Sequence, residues 1–290
     1  MITAVIAYYR MGPRAAHRVA DILRHHPDYA TWMSQKPTSI PEDEYLFMRA
    51  STWPDDIRSE NHPSHDFSRP SWHYMDIWFP QGGVAAPPDE RGEHIEEAVT
   101  ANEALARNST DPAERARALC WLFHLYGDVE MPLHTTSLVS AQFPRGDSGG
   151  NRVWITTGEG AQNLHSYWDG LWDRDVAFNH GEGKHIWNIR EADEDLTQID
   201  GVAKRVAREH PVRTVEREYP AKSFEQVVAE SNKLAKEDVY LNGSLPMGTS
   251  KDDAPKVPAD YEARSKALGE VRLALGGYRL AADLESIVGR

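Results

Sequence analysis

Two short patterns restrict this chain more than anything else in it. His124 and Asp128 stand four residues apart, and so do His165 and Asp169. Residues four apart on a helix lie about 40° from each other around the axis, so imidazole and carboxylate point at one spot. That is half of a helical metal site. A third imidazole, His134, comes two residues after Pro132, a residue expected to end the first helix and turn His134 back towards it. One such pair is an ordinary surface contact. Two pairs, a histidine behind a helix-ending proline, and Gly149-Gly150-Asn151 between them point to metal. Histidine and aspartate without thiolate favour zinc in open catalytic sites. Cys120, the only cysteine, lies on the His124 helix and reads as a small buried hydrophobe; it excludes an intramolecular disulfide.

With 290 residues, 40% of them hydrophobic, the chain can bury a substantial core, and it is read as one domain spanning 1–290. No apolar run reaches the length of a membrane span. Lys plus Arg number 32 against 45 Asp plus Glu, a formal charge of −13. Such a surface repels polyanions, so tight duplex binding through a basic patch is excluded, and phosphate chemistry has to rest on local metal charge.

Periodicity and caps predict helices nearly throughout. An apolar helix covers residues 2–9, and Gly12-Pro13 opens a second that runs to about Arg24. Ser39-Ile40-Pro41-Glu42 reads as a capping box for a helix through about Ala50, and Asp111-Pro112-Ala113-Glu114 as another that starts the His124 helix. An acidic helix is expected over 90–107, the second ligand helix from about Ala161 to Trp172, and further helices to about His210, from Ser223 to about Lys236, and from Tyr261 onwards. Short strands are expected only around Val153-Trp154-Ile155, in a loop that Asp147 and Asn151 order. His17 and Asp21 form one more pair at helical spacing, read with His25 and His26 as solvated.

These motifs resemble the zinc-dependent single-strand nucleases that release 5′-nucleotides and share a fold with bacterial zinc phospholipase C. The likeness rests on His124, Gly127, Asp128, Pro132-Leu133-His134, Gly149-Gly150-Asn151, Asn163-Leu164-His165 and Trp168-Asp169. It extends to a Trp-x-Asp-x-x-Arg element within STWPDDIR, to His73 in WHYMD, and to a C-terminal Gly-x-Arg-Leu-Ala at Gly277. The resemblance implies an all-α fold and three zinc ions. Asp55, His73, His124 and Asp128 are implied to hold one, and His134, His165 and Asp169 another, with Asp128 bridging to the third. His62 and His65 are the competitors of His73, in a polar stretch that would hold an ion poorly. Arg58 is implied to face the phosphate, Tyr74 and Asp76 to hold a nucleobase, and Asn151 to touch substrate. Asp56 is expected to be exposed. Where the family has His-Gln before Pro-Leu-His, this chain has Glu130-Met131, a departure that touches the packing behind the ligands.

The activity implied is cleavage of single-stranded RNA or DNA to 5′-mononucleotides, with 3′-nucleotidase activity, by a monomer. A zinc phospholipase C is the rival within enzymes, and a binding protein with a decayed cluster the rival outside them. The family's N-terminal tryptophan and Gly-His ligands have no match; Met1-Ile-Thr-Ala-Val-Ile-Ala aligns with the family segment directly after that histidine. The chain is therefore expected to start late, to supply two zinc sites fully and the third in part, and to belong to a secreted or periplasmic protein.

Overall fold

A computed structural model describes residues 1–88, 92–171, 193–220 and 222–289. The expected helix end at Trp172 and the helix start at residue 90 lie outside the described residues. Within them the chain is mostly helical. The first four helices are α1 (Ile2–Arg10), α2 (Pro13–Leu23), α3 (Tyr29–Gln35) and α4 (Glu42–Asp56). Then come α5 (Ile95–Asn108), α6 (Pro112–Asp128) and the short α7 (Leu164–Asp169). The chain closes with α8 (Asp193–Glu209), α9 (Val212–Glu218), α10 (Phe224–Leu234) and α11 (Tyr261–Val288).

Local chemistry explains most boundaries. Pro13 and Pro112 occupy first turns, where their missing N–H costs nothing. Asp111 caps α6 by accepting from Ala113 N, and Ser223 forms a full capping box with Gln226 on α10. Two boundaries differ from expectation. The Ser39 box does not form: Pro41 stands at the N-cap of α4, without a side-chain cap bond. That helix also runs past Ala50 and through Pro54 to Asp56. Burial of Trp53, whose Nε1 donates to Asp28 Oδ2 at 2.7 Å, holds the turn that the proline weakens.

α6 is the central rod. Its residues 118–125 are buried in succession, as befits a helix enclosed on all sides by α4, α5 and α11. α1 lies against α11 so closely that a Cβ on Gly277 would stand 2.4 Å from Ile6 Cγ2 and 3.0 Å from the Thr3 carbonyl. Four short strands complete the fold. β1 (Ile77–Pro80) pairs in parallel with β2 (Thr136–Val139), and β3 (Trp154–Thr157) pairs antiparallel with β4 (Gly160–Asn163). The first pair was not expected. It joins the segment after His73 to the segment after His134, placing both histidines beside the end of α6.

The packing of α1 on α11 is open to a direct test. Gly277→Ala is expected to destabilise the protein by about 1–3 kcal/mol, because backbone and a β-branched residue cannot give way. Gly201→Ala, in α8 with open space around it, is expected to stabilise by up to about 1 kcal/mol. Thermal melts of the two variants check the contrast.

Candidate metal centre

Three backbone carbonyls decide what this site can do. His124 Nδ1 lies 2.8 Å from the Ser51 carbonyl, His134 Nδ1 2.9 Å from that of Asp128, and His165 Nδ1 2.7 Å from that of Gly149. A carbonyl only accepts, so each Nδ1 carries a proton and each neutral ring presents a lone pair at Nε2. Those lone pairs face carboxylates. His124 Nε2 is 3.1 Å from Asp128 Oδ2 and 3.8 Å from Asp55 Oδ2. His165 Nε2 is 3.1 Å from Asp169 Oδ2, and His134 Nε2 is 3.8 Å from Asp169 Oδ1. His73 enters from a 3-10 turn (Pro70–His73), its Nδ1 2.9 Å from His124 Nε2 and 3.0 Å from Asp128 Oδ2.

Acceptors facing acceptors in a buried cluster repel one another unless a cation lies between them. Protons answer that need in part. Burial disfavours an imidazolium at His124, yet the carboxylates of Asp128 and Asp55 outweigh it and raise its pKa to about 10. Burial likewise works against the Asp128 carboxylate, and the facing His124 and His134 hold its pKa well below the usual range. At the second pair, burial opposes charge on both groups, but their mutual bond raises His165 and lowers Asp169.

A metal ion meets the same need with all lone pairs directed at it. Asp55, His73 and His124 form one group able to hold an ion, and His134, His165 and Asp169 another, with the ligand atoms of each within 4.8 Å of one another. Asp128 adjoins the first group, its Oδ2 3.0 Å from His73 Nδ1 and 3.1 Å from His124 Nε2, and its Oδ1 lies 3.8 Å from His134 Nδ1. All seven residues expected from sequence therefore meet in one place. They line a cavity of about 1110 Å³, shared with Arg58 and Asn151.

Each ligand is set by its element. The last turn of α4 delivers Asp55, and the C-terminus of α6 delivers Asp128. α6 ends at Asp128, before Pro132; that proline instead opens a 3-10 turn (Pro132–Thr135) carrying His134. β4 covers 160–163, so the second ligand helix is shorter than expected, and Asn163 caps it by accepting from Ser166 N at 2.6 Å. Gly149 adopts φ +60° with its would-be Cβ 2.7 Å from the Leu133 carbonyl; only glycine lets that loop offer its own carbonyl to His165. Buried Asp147 fixes the same loop, accepting from Leu138 N at 2.9 Å and Tyr240 OH at 2.7 Å.

Behind the turn from Asp128 to His134 lies a buried ion network that sequence reasoning saw only as a departure. Glu130 meets Arg272 at 2.7 Å and Arg279 at 2.8 Å, and Glu230 pairs with both arginines. Ser231 bonds the Val129 carbonyl, and Asn232 reaches the Thr135 carbonyl at 3.1 Å. α10 and α11 thus grip the turn from behind. Arg279 is the arginine of the Gly-x-Arg-Leu-Ala motif, which was the one signal pointing there.

The other expected residues divide between the cavity and the rest of the molecule. Arg58 is half exposed and 3.3 Å from Asp55 Oδ1. Asn151 Nδ2 donates to the Ser148 carbonyl at 2.9 Å. Tyr74 and Asp76 do not line the cavity. The Tyr74 carbonyl accepts from Ile95 N and its ring is tilted against that of His94. Asp56 is not exposed: it is partly buried, 3.0 Å from Arg49, and lines the cavity. His17 bonds Asp43 at 2.7 Å on the surface, away from the ligands. His62 and His65 bond the backbone at Ser64 N and the Ile57 carbonyl.

A family model described as S1/P1 Nuclease matches residues 1–289. No match is found among curated proteins.

Metal should displace the protons that now sit between the ligands. Zinc titrated into metal-free protein at pH 7.5 is expected to release about one proton or more, since His124 holds one there. Calorimetry in buffers of different ionisation enthalpy reads this directly. Heats independent of the buffer would mean that His124 carries no proton to lose.

Proposed function

The chain belongs to the S1/P1 nuclease family, whose members hydrolyse phosphodiester bonds, and from that premise we propose that it is a zinc enzyme cleaving single-stranded RNA or DNA. The products proposed are 5′-mononucleotides, with 3′-nucleotidase activity beside the nuclease, in one domain acting as a monomer outside the cytoplasm. The observation that carries the zinc reading is the set of Nε2 lone pairs aimed at carboxylates, each fixed by a carbonyl at Nδ1. Such carbonyl-anchored imidazoles are the usual support of zinc ligands, and all seven donors are nitrogen or oxygen.

In this reading Asp55, His73, His124 and Asp128 hold one ion, and His134, His165 and Asp169 hold a second. Zinc supplies Lewis acidity to a phosphoryl oxygen and brings the pKa of water to about 7. Arg58 stands at the mouth, its planar fork able to bond two phosphoryl oxygens as charge grows on them. Its tie to Asp55 at 3.3 Å aims it at the first ion. Asn151, its amide nitrogen bonded to the Ser148 carbonyl, has its oxygen left to accept from a donor on the substrate. Among the described residues lining the cavity there is no glutamate, and each histidine belongs to one of the two groups. The one carboxylate there outside the seven donors, Asp56, is held by Arg49 at 3.0 Å, so this reading uses no separate general base. Tyr74 and Asp76 take no part in this account, so base binding is assigned to other residues of the cavity.

Asp128 is expected to be the most damaging ligand to lose. Asp128→Asn should cost more than the roughly 10–100-fold typical of groups behind a ligand, and metal counting should show the first ion and the third, which Asp128 is proposed to bridge, both weakened. Asp169→Asn should weaken one. Equal loss of metal in the two variants would overturn the shared role of Asp128. Exhaustive chelation should abolish turnover and lower the melting temperature by several degrees, because metal held only by the native state stabilises it by mass action.

A further inference from the structure

The cavity holds three cationic side chains, and two of them are already paired. Arg58 faces Asp55, and Arg49 lies 3.0 Å from Asp56. Lys251 has no hydrogen bond or ion pair with any described residue, although it lines the same cavity. In a chain of formal charge −13, an unpaired ammonium facing the reaction site is a local exception to the acidic surface.

Its place is built rather than accidental. Gly248 pairs with Trp154 through two bonds of 2.9 Å, and Thr156 takes the Pro255 carbonyl at 2.7 Å and gives its own carbonyl to Val257 at 3.0 Å. Between these anchors, Asp253 accepts from Thr249 N at 3.0 Å and Ser250 N at 2.6 Å, and from both hydroxyls. The turn that carries Lys251 is thereby tied to β3 on both sides.

Beside it stands Trp154. Along β3, Ile155 is buried and Trp154 is not, as period-2 alternation requires, so the indole faces the cavity instead of the core. No described aromatic ring stacks on it. The cavity volume, about 1110 Å³, exceeds the ~300–1,000 Å³ that encloses one drug-sized ligand. There is room for more than one nucleotide unit.

We propose that Trp154 and Lys251 form a subsite for the strand next to the cleaved bond: the indole stacks an unpaired base, and the ammonium pairs with the adjoining phosphodiester. This rests on the nuclease reading and deepens it, because a subsite beyond the cleaved bond is what separates a polynucleotide from a small phosphate ester. Aromatic stacking accepts any base but only an unstacked one, which favours single strands. Of the residues here, none was among those expected from sequence to hold the base.

The test compares kcat/KM for a ten-nucleotide single strand and for bis(p-nitrophenyl) phosphate on zinc-loaded protein over a range of salt. For Lys251→Ala, the slope of log kcat/KM against log salt on the oligonucleotide is expected to flatten by about 0.7, the value for one phosphate contact on a single strand. The ratio of oligonucleotide to small-diester activity should fall roughly tenfold, and Lys251→Arg should restore both. Trp154→Ala should lower the same ratio about 5- to 100-fold without changing the slope, and Trp154→Phe should retain most of it. Lys233→Ala, an equal charge change on α10 with Lys233 paired to Glu237 at 4.0 Å, controls for net charge. Anisotropy of a labelled oligonucleotide on the zinc-free protein should show the same change of slope without turnover. A wild-type slope and ratio in Lys251→Ala, or the same change in Lys233→Ala, overturns the subsite alone. Wild-type protein that cleaves the small diester and spares the oligonucleotide overturns the nuclease reading, and the subsite with it.

Discussion

The Asp128 carboxylate, lodged among the imidazoles of His73, His124 and His134, is the interaction on which the rest of this structure depends. A carboxylate so placed is costly to bury unless positive charge surrounds it. The chain concentrates its architecture on that requirement. α6 ends there, α4 ends beside it, a parallel strand pair draws the His73 and His134 segments together, and α10 and α11 clamp the turn between Asp128 and His134. The Glu130–Arg272–Arg279–Glu230 network obeys the same logic one layer out. Removing one partner of such a buried network costs about 3–5 kcal/mol, because its opposite charge is left unpaired. The candidate metal centre is therefore also the point at which distant parts of the chain are held in register.

Much of this was legible in the sequence, and the reasons are physical. A helix of fixed pitch turns the spacing of His124 and Asp128 into a direction in space, so the side chains that meet in the cavity could be read without coordinates. The capping residues Asp111 and Ser223 announced their helices by chemistry that operates within four residues. What failed was whatever depended on distant partners. Pro54 signals a break, yet the buried Trp53 and its bond to Asp28 carry α4 past it. β1 and β2 are four-residue strands whose pairing is parallel and non-local, and neither carries a pattern of its own. Lys251 and Trp154, far apart in sequence, are brought to one cavity wall by the turn that wraps β3.

An acidic chain acting on a polyanion is a contradiction only at the level of net charge. In the proposed reading Asp55, Asp128 and Asp169 are taken up as ligands and Asp56 is paired with Arg49, so zinc would leave the cavity with a positive interior. Arg58 and Lys251 then sit towards its rim as separate, directional charges. In the proposed reading strand selection falls to shape: a cavity of this size with an indole on its wall would admit bases that have left a stack, and a duplex offers none.

The central claim is that these seven side chains hold two metal ions. An anomalous difference map from zinc-loaded crystals, collected on both sides of the zinc edge, tests it most directly. The account expects one peak at about 2.0–2.2 Å from the donor atoms of Asp55, His73, His124 and Asp128, and a second at that distance from those of His134, His165 and Asp169. Fully loaded crystals with no peak between these residues, or with zinc held only at surface histidines such as His17, would contradict it.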